Sequence, residues 1–264
     1  MSRIGSSAFA SLFQNVGTLS QYLGHVGKAE ILLKTGRGVD PAFKSMIVRG
    51  IARVSTMRPR ARYVMRDVKR LMALALHECD PEAARFYAAA YAWLFRVEAE
   101  LTPLQADGRH GLADDDLGWH SVVVFERKKC SILLRKRKNA LDGATLVRTC
   151  ICVQAPNPLC PVCSIRAQLA HHDRSMGGPG LLFSPRPGRL ATLKRRAAQL
   201  GLEVSGWHAF RRGAAEDLVR SGCPIGFILK AGGWKSGAFL RYISAEALDT
   251  RAVTEAFLSH SDSD

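Results

Sequence analysis

The chain has 264 residues, 47% of them hydrophobic and 23% charged, a balance that supports a substantial core and excludes disorder as the overall state. Lys and Arg number 38 against 23 Asp and Glu, and the resulting net charge of +15 favours a polyanionic partner. Seven cysteines in a chain this long, with no arginine-led apolar leader, do not read as a secreted disulfide scaffold, and no stretch approaches the roughly 20 apolar residues of a membrane span.

Residues 1–60 hold nine Lys and Arg against Glu30 and Asp40. Within them, 18–34 places Leu19, Tyr22, Leu23, Val26 and Ile31 at helical intervals, interrupted by Gly24 and Gly27. A second short helix is predicted from Asp40 to Val54, with Pro41 at its first position and Phe43, Ile47 and Ile51 on one side. These pieces make a small basic helical domain, 1–60. The run Met57 to Arg62, with Pro59 and three arginines, is the linker candidate because it has little to bury.

Beyond the linker, Asp67 to His77 reads as helical. The next helix starts after Asp80, a capping residue, with Pro81 in its first turn and Ala84, Ala88, Tyr91 and Phe95 on one face. Arg96 arrives as that helix ends. After a loop from Gly108 to Gly118 the period changes. Segments 119–126, 131–137 and 145–151 are short and rich in Val, Ile, Leu or Thr, with Asn139 to Gly143 as the second turn, and predict a three-stranded antiparallel sheet. Helices return at about 161–172, 190–200, 207–220, 224–230 and 236–257. The expected fold is mixed α+β: a mainly helical domain, 61–264, containing a small three-stranded antiparallel sheet and preceded by the small helical domain.

Charge follows this layout. Between Arg127 and Lys138 seven of twelve residues are basic and none is acidic, whereas Glu78 to Glu126 hold ten acids against Arg85, Arg96 and Arg109. Two basic regions separated by an acidic stretch suggest a clamp whose other faces avoid DNA. Arg127, Lys128, Lys129, Arg135, Lys136, Arg137, Arg212 and Lys235 are the candidates for contacts to DNA, most of them to phosphate.

The most informative stretch is 205–243, SGWHAFRRGAAEDLVRSGCPIGFILKAGGWKSGAFLRYI. In a helix starting near Ser205, Phe210, Ala214 and Leu218 point inward, while His208 and Arg211 lie one turn apart on a common side, spaced to contact two oxygens of one phosphate. Singly, each of these residues has an ordinary structural reading. The ordered set Arg96, Lys138, His208-x-x-Arg211, Gly233-Trp234, Tyr242 resembles the catalytic domain of the tyrosine recombinases, or phage-type integrases, over about residues 65–250. FRVEAELTPLQ resembles the motif around the first catalytic arginine, Arg96. SILLRKRKNALDG is similar to the hairpin carrying the active-site lysine, placed at Lys138 with Lys136 as the second candidate. GGWKS matches the position held by His or Trp, and Tyr242 falls on the nucleophile. One position departs from the pattern: Ala99 stands where the family usually has Glu or Asp, and the flanking Glu98 and Glu100 are the candidates to substitute for it from a slightly altered turn. The basic hairpin, the cysteines and the ending resemble recombinases of eukaryotic mobile elements.

The resemblance implies a site-specific recombinase that cuts and rejoins DNA through a 3′-phosphotyrosyl intermediate. Arg96 and Arg211 would stabilise the nonbridging oxygens, Lys138 would protonate the leaving 5′ oxygen, His208 would accept a proton or bind phosphate, and Trp234 would donate its indole hydrogen bond. It implies no ATP and no catalytic metal, double-stranded DNA as partner, a homo-oligomer reaching a tetramer on paired sites, and a DNA-associated intracellular location, nuclear in a eukaryote. The segment after Tyr242, with Leu248, Val253 and Phe257, would dock in cis or in trans. A topoisomerase-like or end-resolving enzyme and an inactive DNA-binding protein are the alternatives. Finally, Cys150, Cys152, Cys160 and Cys163 form C-x-C-x7-C-x2-C, a pattern open to a structural zinc or to free or buried structural thiols.

Overall fold

The computed structural model describes residues 16–32, 40–54, 60–106, 121–135, 137, 143–175 and 180–234. The chain divides into two compact units, Met1–Pro59 and Arg60–Asp264. In the first, α1 (Val16–Leu32) and α2 (Pro41–Val54) form a helical pair. Leu19 and Leu23, one turn apart, are buried against Ile47 and Val48, so the helical spacing read in the sequence is the seam between the two helices. Asp40 caps α2 through a side-chain oxygen accepting from the Ala42 amide at 2.9 Å.

The second unit is a mixed α+β fold. Among the described residues its α-helices are α3 (Met65–His77), α4 (Pro81–Ala92), α5 (Pro161–Ser175), α6 (Arg189–Gln199), α7 (His208–Arg220) and α8 (Ile225–Gly232). Asp80 caps α4 by accepting from the Ala83 amide at 3.1 Å, and Pro81 occupies the first turn, where its missing amide costs nothing. The alanine-rich face of α4 lets its neighbours approach closely. Tyr87 stacks on Phe210 of α7 with ring centroids 5.5 Å apart, and Phe86 meets Trp207 and Phe183 edge-on. Gly213 of α7 lies against the Tyr63 carbonyl, where a Cβ would overlap the backbone, and the Tyr63 amide donates to Ala209 O at 2.9 Å.

The sheet runs β1 (Leu104–Gln105), β2 (Ser121–Glu126), β3 (Lys129–Leu134) and β4 (Ala144–Thr149). Strands β2, β3 and β4 make the small three-stranded antiparallel sheet, in which Ile132 faces Val123 on one side and Leu146 on the other. The details differ from the sequence reading. The two-residue β1 adds a fourth strand, parallel to β2; β3 runs Lys129–Leu134 rather than 131–137, and β4 Ala144–Thr149 rather than 145–151. The turn between β2 and β3 is only Arg127 and Lys128, tight because Arg127 takes a left-handed backbone (φ 50°) without glycine. Cys130, Ile132 and Leu134 alternate inward along β3. No described helix is long and apolar enough to cross a membrane.

Candidate functional site

Helix α4 ends at Trp93, which is fully buried, stacked on Phe95 and bonded through Nε1 to Pro161 O at 2.9 Å. Leu94 then adopts a left-handed backbone (φ 53°), uncommon outside glycine, and its carbonyl accepts from Arg211 Nη1. Arg96 follows and leads into a single π-helical turn, Val97–Leu101, closed by the Thr102 amide donating to Val97 O at 2.9 Å. The widened turn brings Glu100, not residue 99, back over the arginine. Glu100 accepts from the Arg96 amide at 2.9 Å and from its Nη1 at 3.0 Å. The same carboxylate takes Arg137 Nε at 3.0 Å and is 1% exposed, so one buried anion holds two guanidinium groups.

On the other side of the cluster, α8 closes with Gly233 in a left-handed conformation (φ 64°), the Trp234 amide reaching back to Leu229 O at 2.9 Å. This turn folds the Trp234 ring onto Arg211, whose guanidinium carbon sits 4.3 Å from the ring centroid. Gly232 has no room for a side chain, since a Cβ there would overlap the same ring. Its carbonyl accepts from Arg211 Nη2 and, at 3.1 Å, from Arg137 Nη2. Arg211 is fully buried in this nest of carbonyls and indole. His208 stands one turn earlier on α7. Desolvation lowers its pKa below the ordinary 6.5, and the positive charges of Arg212, Arg211 and Arg96 add to this while Glu98 opposes them, so the neutral imidazole is favoured.

Four of the six expected catalytic residues, Arg96, His208, Arg211 and Trp234, are thus gathered in one place. Lys138 and Tyr242, with Lys136 and Lys235, lie outside the described residues. Arg137 and Arg212 were expected on the DNA surface and occupy other positions: Arg137 is buried on Glu100 and Gly232 O, and Arg212 is buried with Nε on Ala61 O at 2.7 Å. Both donate to fixed acceptors inside the fold, where the desolvation cost of a guanidinium is met by hydrogen bonds. Arg127, Lys128 and Lys129 are exposed at the hairpin tip, and Arg135 is partly so. Arg137 is the site residue that sequence reasoning missed in this role. Of the two acids offered in place of Ala99, Glu100 is the one that meets Arg96.

Compared with known proteins, the chain matches no family model, and no curated protein matches it.

A second cluster lies where β4 leaves the sheet. The sulfurs of Cys150, Cys152, Cys160 and Cys163 all lie within 4.8 Å of one another, an arrangement geometrically capable of coordinating a metal ion. Cys160 and Cys163 come from the start of α5, and Cys150 and Cys152 from the end of β4. The Cys150 thiol is brought down to about 7, first by the Cys152 amide and further by hydrogen bonds from the neighbouring thiols, against desolvation.

Proposed function

We propose that the protein is a DNA strand transferase of the tyrosine recombinase type. The observation that supports this reading best is the gathering of Arg96 on Glu100 and of Arg211 and Trp234 around Gly232, with His208 one turn before Arg211 and within reach of the charge of both arginines. Arg96, Arg137 and Arg211 have one buried carboxylate, Glu100, between them, and a phosphodiester fits the positive charge left over.

In this reading the Tyr242 hydroxyl attacks phosphorus, and its proton passes to His208, whose lowered pKa suits an acceptor at neutral pH. The bond from phosphorus to the 5′ oxygen breaks, and Lys138 protonates the departing oxygen. Arg96 and Arg211 neutralise charge growing on the nonbridging oxygens, and Trp234 offers its indole N–H. The phosphotyrosyl ester stores the energy of the broken bond, so attack by another 5′ hydroxyl restores the backbone and the tyrosine without ATP. Double-stranded DNA is the substrate, and pairs of sites held by a homo-oligomer are the expected setting. For Arg211 to touch phosphate, the Gly232 carbonyl and the Trp234 ring must first give way. That enclosure favours a second reading, an inactive DNA-binding protein in which Arg211 is purely structural.

Covalent capture separates the two. Incubation of the protein with genomic DNA, followed by denaturation, recovery of protein-linked fragments and sequencing, should yield adducts that protease removes. Tyr242→Phe should abolish them while retaining DNA binding. Binding without any adduct in the unaltered chain would leave the second reading standing.

A further inference from the structure

We propose that Cys150, Cys152, Cys160 and Cys163 hold one structural zinc ion as a closed tetrathiolate. The distances fit a single tetrahedral ion. Zinc–sulfur bonds of about 2.3 Å set the edges of such a tetrahedron at about 3.8 Å. Cys150 and Cys163 are 3.7 Å apart at sulfur, and Cys163 and Cys152 are 3.9 Å apart. Disulfides require about 2.05 Å, which neither pair approaches. An iron–sulfur cluster would spread its four thiolates wider than the 4.8 Å within which all these sulfurs lie. Soft thiolates exclude magnesium and calcium, and four protein ligands leave no open position for a reacting water.

The location says what the ion does. The Cys150 amide donates to Lys128 O at 2.7 Å, and Arg166 of α5 donates to Arg127 O at 2.6 Å. Zinc would therefore tie three things at one point: the end of β4, the start of α5 and the tight turn between β2 and β3. The surplus negative charge of four thiolates on a divalent ion sits beside the cations of that turn. At the far end of β3 the chain is held by Arg137 on Glu100 and Gly232. The metal thus fixes one end of the strand whose other end enters the candidate site.

The test needs no DNA and no activity, so its failure would leave the strand-transfer reading untouched. The full chain, purified under reducing conditions without chelator, should contain about one zinc per chain by elemental analysis. Titration of the native protein with an organomercurial thiol reagent should release that zinc to a colorimetric chelator. Cobalt exchange should give the charge-transfer and visible bands of a tetrahedral tetrathiolate. Cys163→Ala should lower zinc content to below about a tenth of this, while Cys79→Ser and Cys223→Ser keep it. Metal removal should speed hydrogen exchange in 121–135 and 144–152 while sparing α3 and α4. Should Cys163→Ala not fold, release from the unaltered chain still decides. Zinc-free folded protein whose four thiols alkylate as fast as exposed Cys79, disulfides among the four, or iron in place of zinc would overturn the proposal.

Discussion

Gly232 and Gly233 lack room for a side chain for two different reasons. At Gly232 the obstacle is the Trp234 ring; at Gly233 it is a left-handed backbone combined with Arg137, whose Nη1 would lie 2.5 Å from a Cβ. The two effects at Gly233 separate by comparison with Gly222, which has the same hand (φ 74°) but open space around it. Gly222→Ala should cost about 1–2 kcal/mol, the left-handed penalty alone. Gly233→Ala should cost more, because Arg137 must leave Glu100 or the helix must reopen, and urea denaturation of both variants gives the difference. His208 carries the other prediction at this scale. With its pKa held below 6.5, strand cleavage should stay level across neutral pH and fall only as acid protonates the ring. His208→Gln should slow cleavage and remove that acid limb from the pH–rate profile. A profile that keeps the limb would assign it to another group. Arg96 and His208-x-x-Arg211 were legible because their residue types and order are distinctive. The choice between Glu98 and Glu100 was not, because a π-helical turn changes which neighbour points back, and no local signal in VEAEL announces one.

Elements were legible where a period was long enough to read. Helix α4 declared itself through Asp80-Pro81 and the face of Ala84, Ala88 and Tyr91, all buried, although it ends before Phe95, which was read onto the same face. Strand β3 was read as starting two residues late because its turn uses Arg127 in the conformation usually reserved for Gly or Asn, and as running three residues past its end at Leu134. Two residues cannot carry an alternation, so β1 was invisible. If the strand-transfer proposal holds, the hairpin formed by β2 and β3 has a consequence for DNA binding. Its exposed tip, Arg127 to Lys129, is separated from Arg137 by roughly 25 Å of extended chain, so it is suited to backbone contacts remote from a reacting phosphate. Replacing Arg127, Lys128 and Lys129 by Gln should weaken DNA binding at all sequences alike and reduce the slope of log affinity against log salt by up to about 3. Binding measured by fluorescence anisotropy across a salt series checks this. An unchanged slope would place the tip away from the duplex.

Over the whole molecule, the charge map read from sequence was coarser than the one the fold makes. The acidic stretch from Glu78 was expected to form a face turned away from DNA. Instead, its first three acids are spent on an ionic ladder to α6 and the loop before it. Glu78 pairs with Arg195 and Arg196, Asp80 with Arg196 and Arg186, and Glu82 with Arg186 and Arg189. The Arg195 hydrogen bond, with help from Arg196, brings the Glu78 carboxyl from 4.5 to about 2. Burial pushes Asp80 and Glu82 upward, but hydrogen bonds outweigh it, from Arg196 and the Ala83 amide on Asp80 and from Arg189 and Ser184 on Glu82, so both are lowered. Lowered carboxylates bind fewer protons folded than unfolded, so their contribution is present above about pH 4.5 and is lost as pH falls toward about 2. Thermal melts should show the melting temperature dropping through that window. Arg195→Gln should weaken the Glu78 part of the drop, leaving a flatter acid limb. Sequence separation of more than a hundred residues hides such pairings from any count of local charge.

One backbone oxygen, that of Gly232, serves two guanidinium groups that come from a strand end and from a helix. When that peptide rotates both lose the same acceptor together, while Glu100 keeps its hold on Arg137 and the Leu94 carbonyl its hold on Arg211. Any ligand that draws the peptide aside therefore has to make good the same lost acceptor for two side chains, so a change at Arg137 should be felt at Arg211 and the reverse.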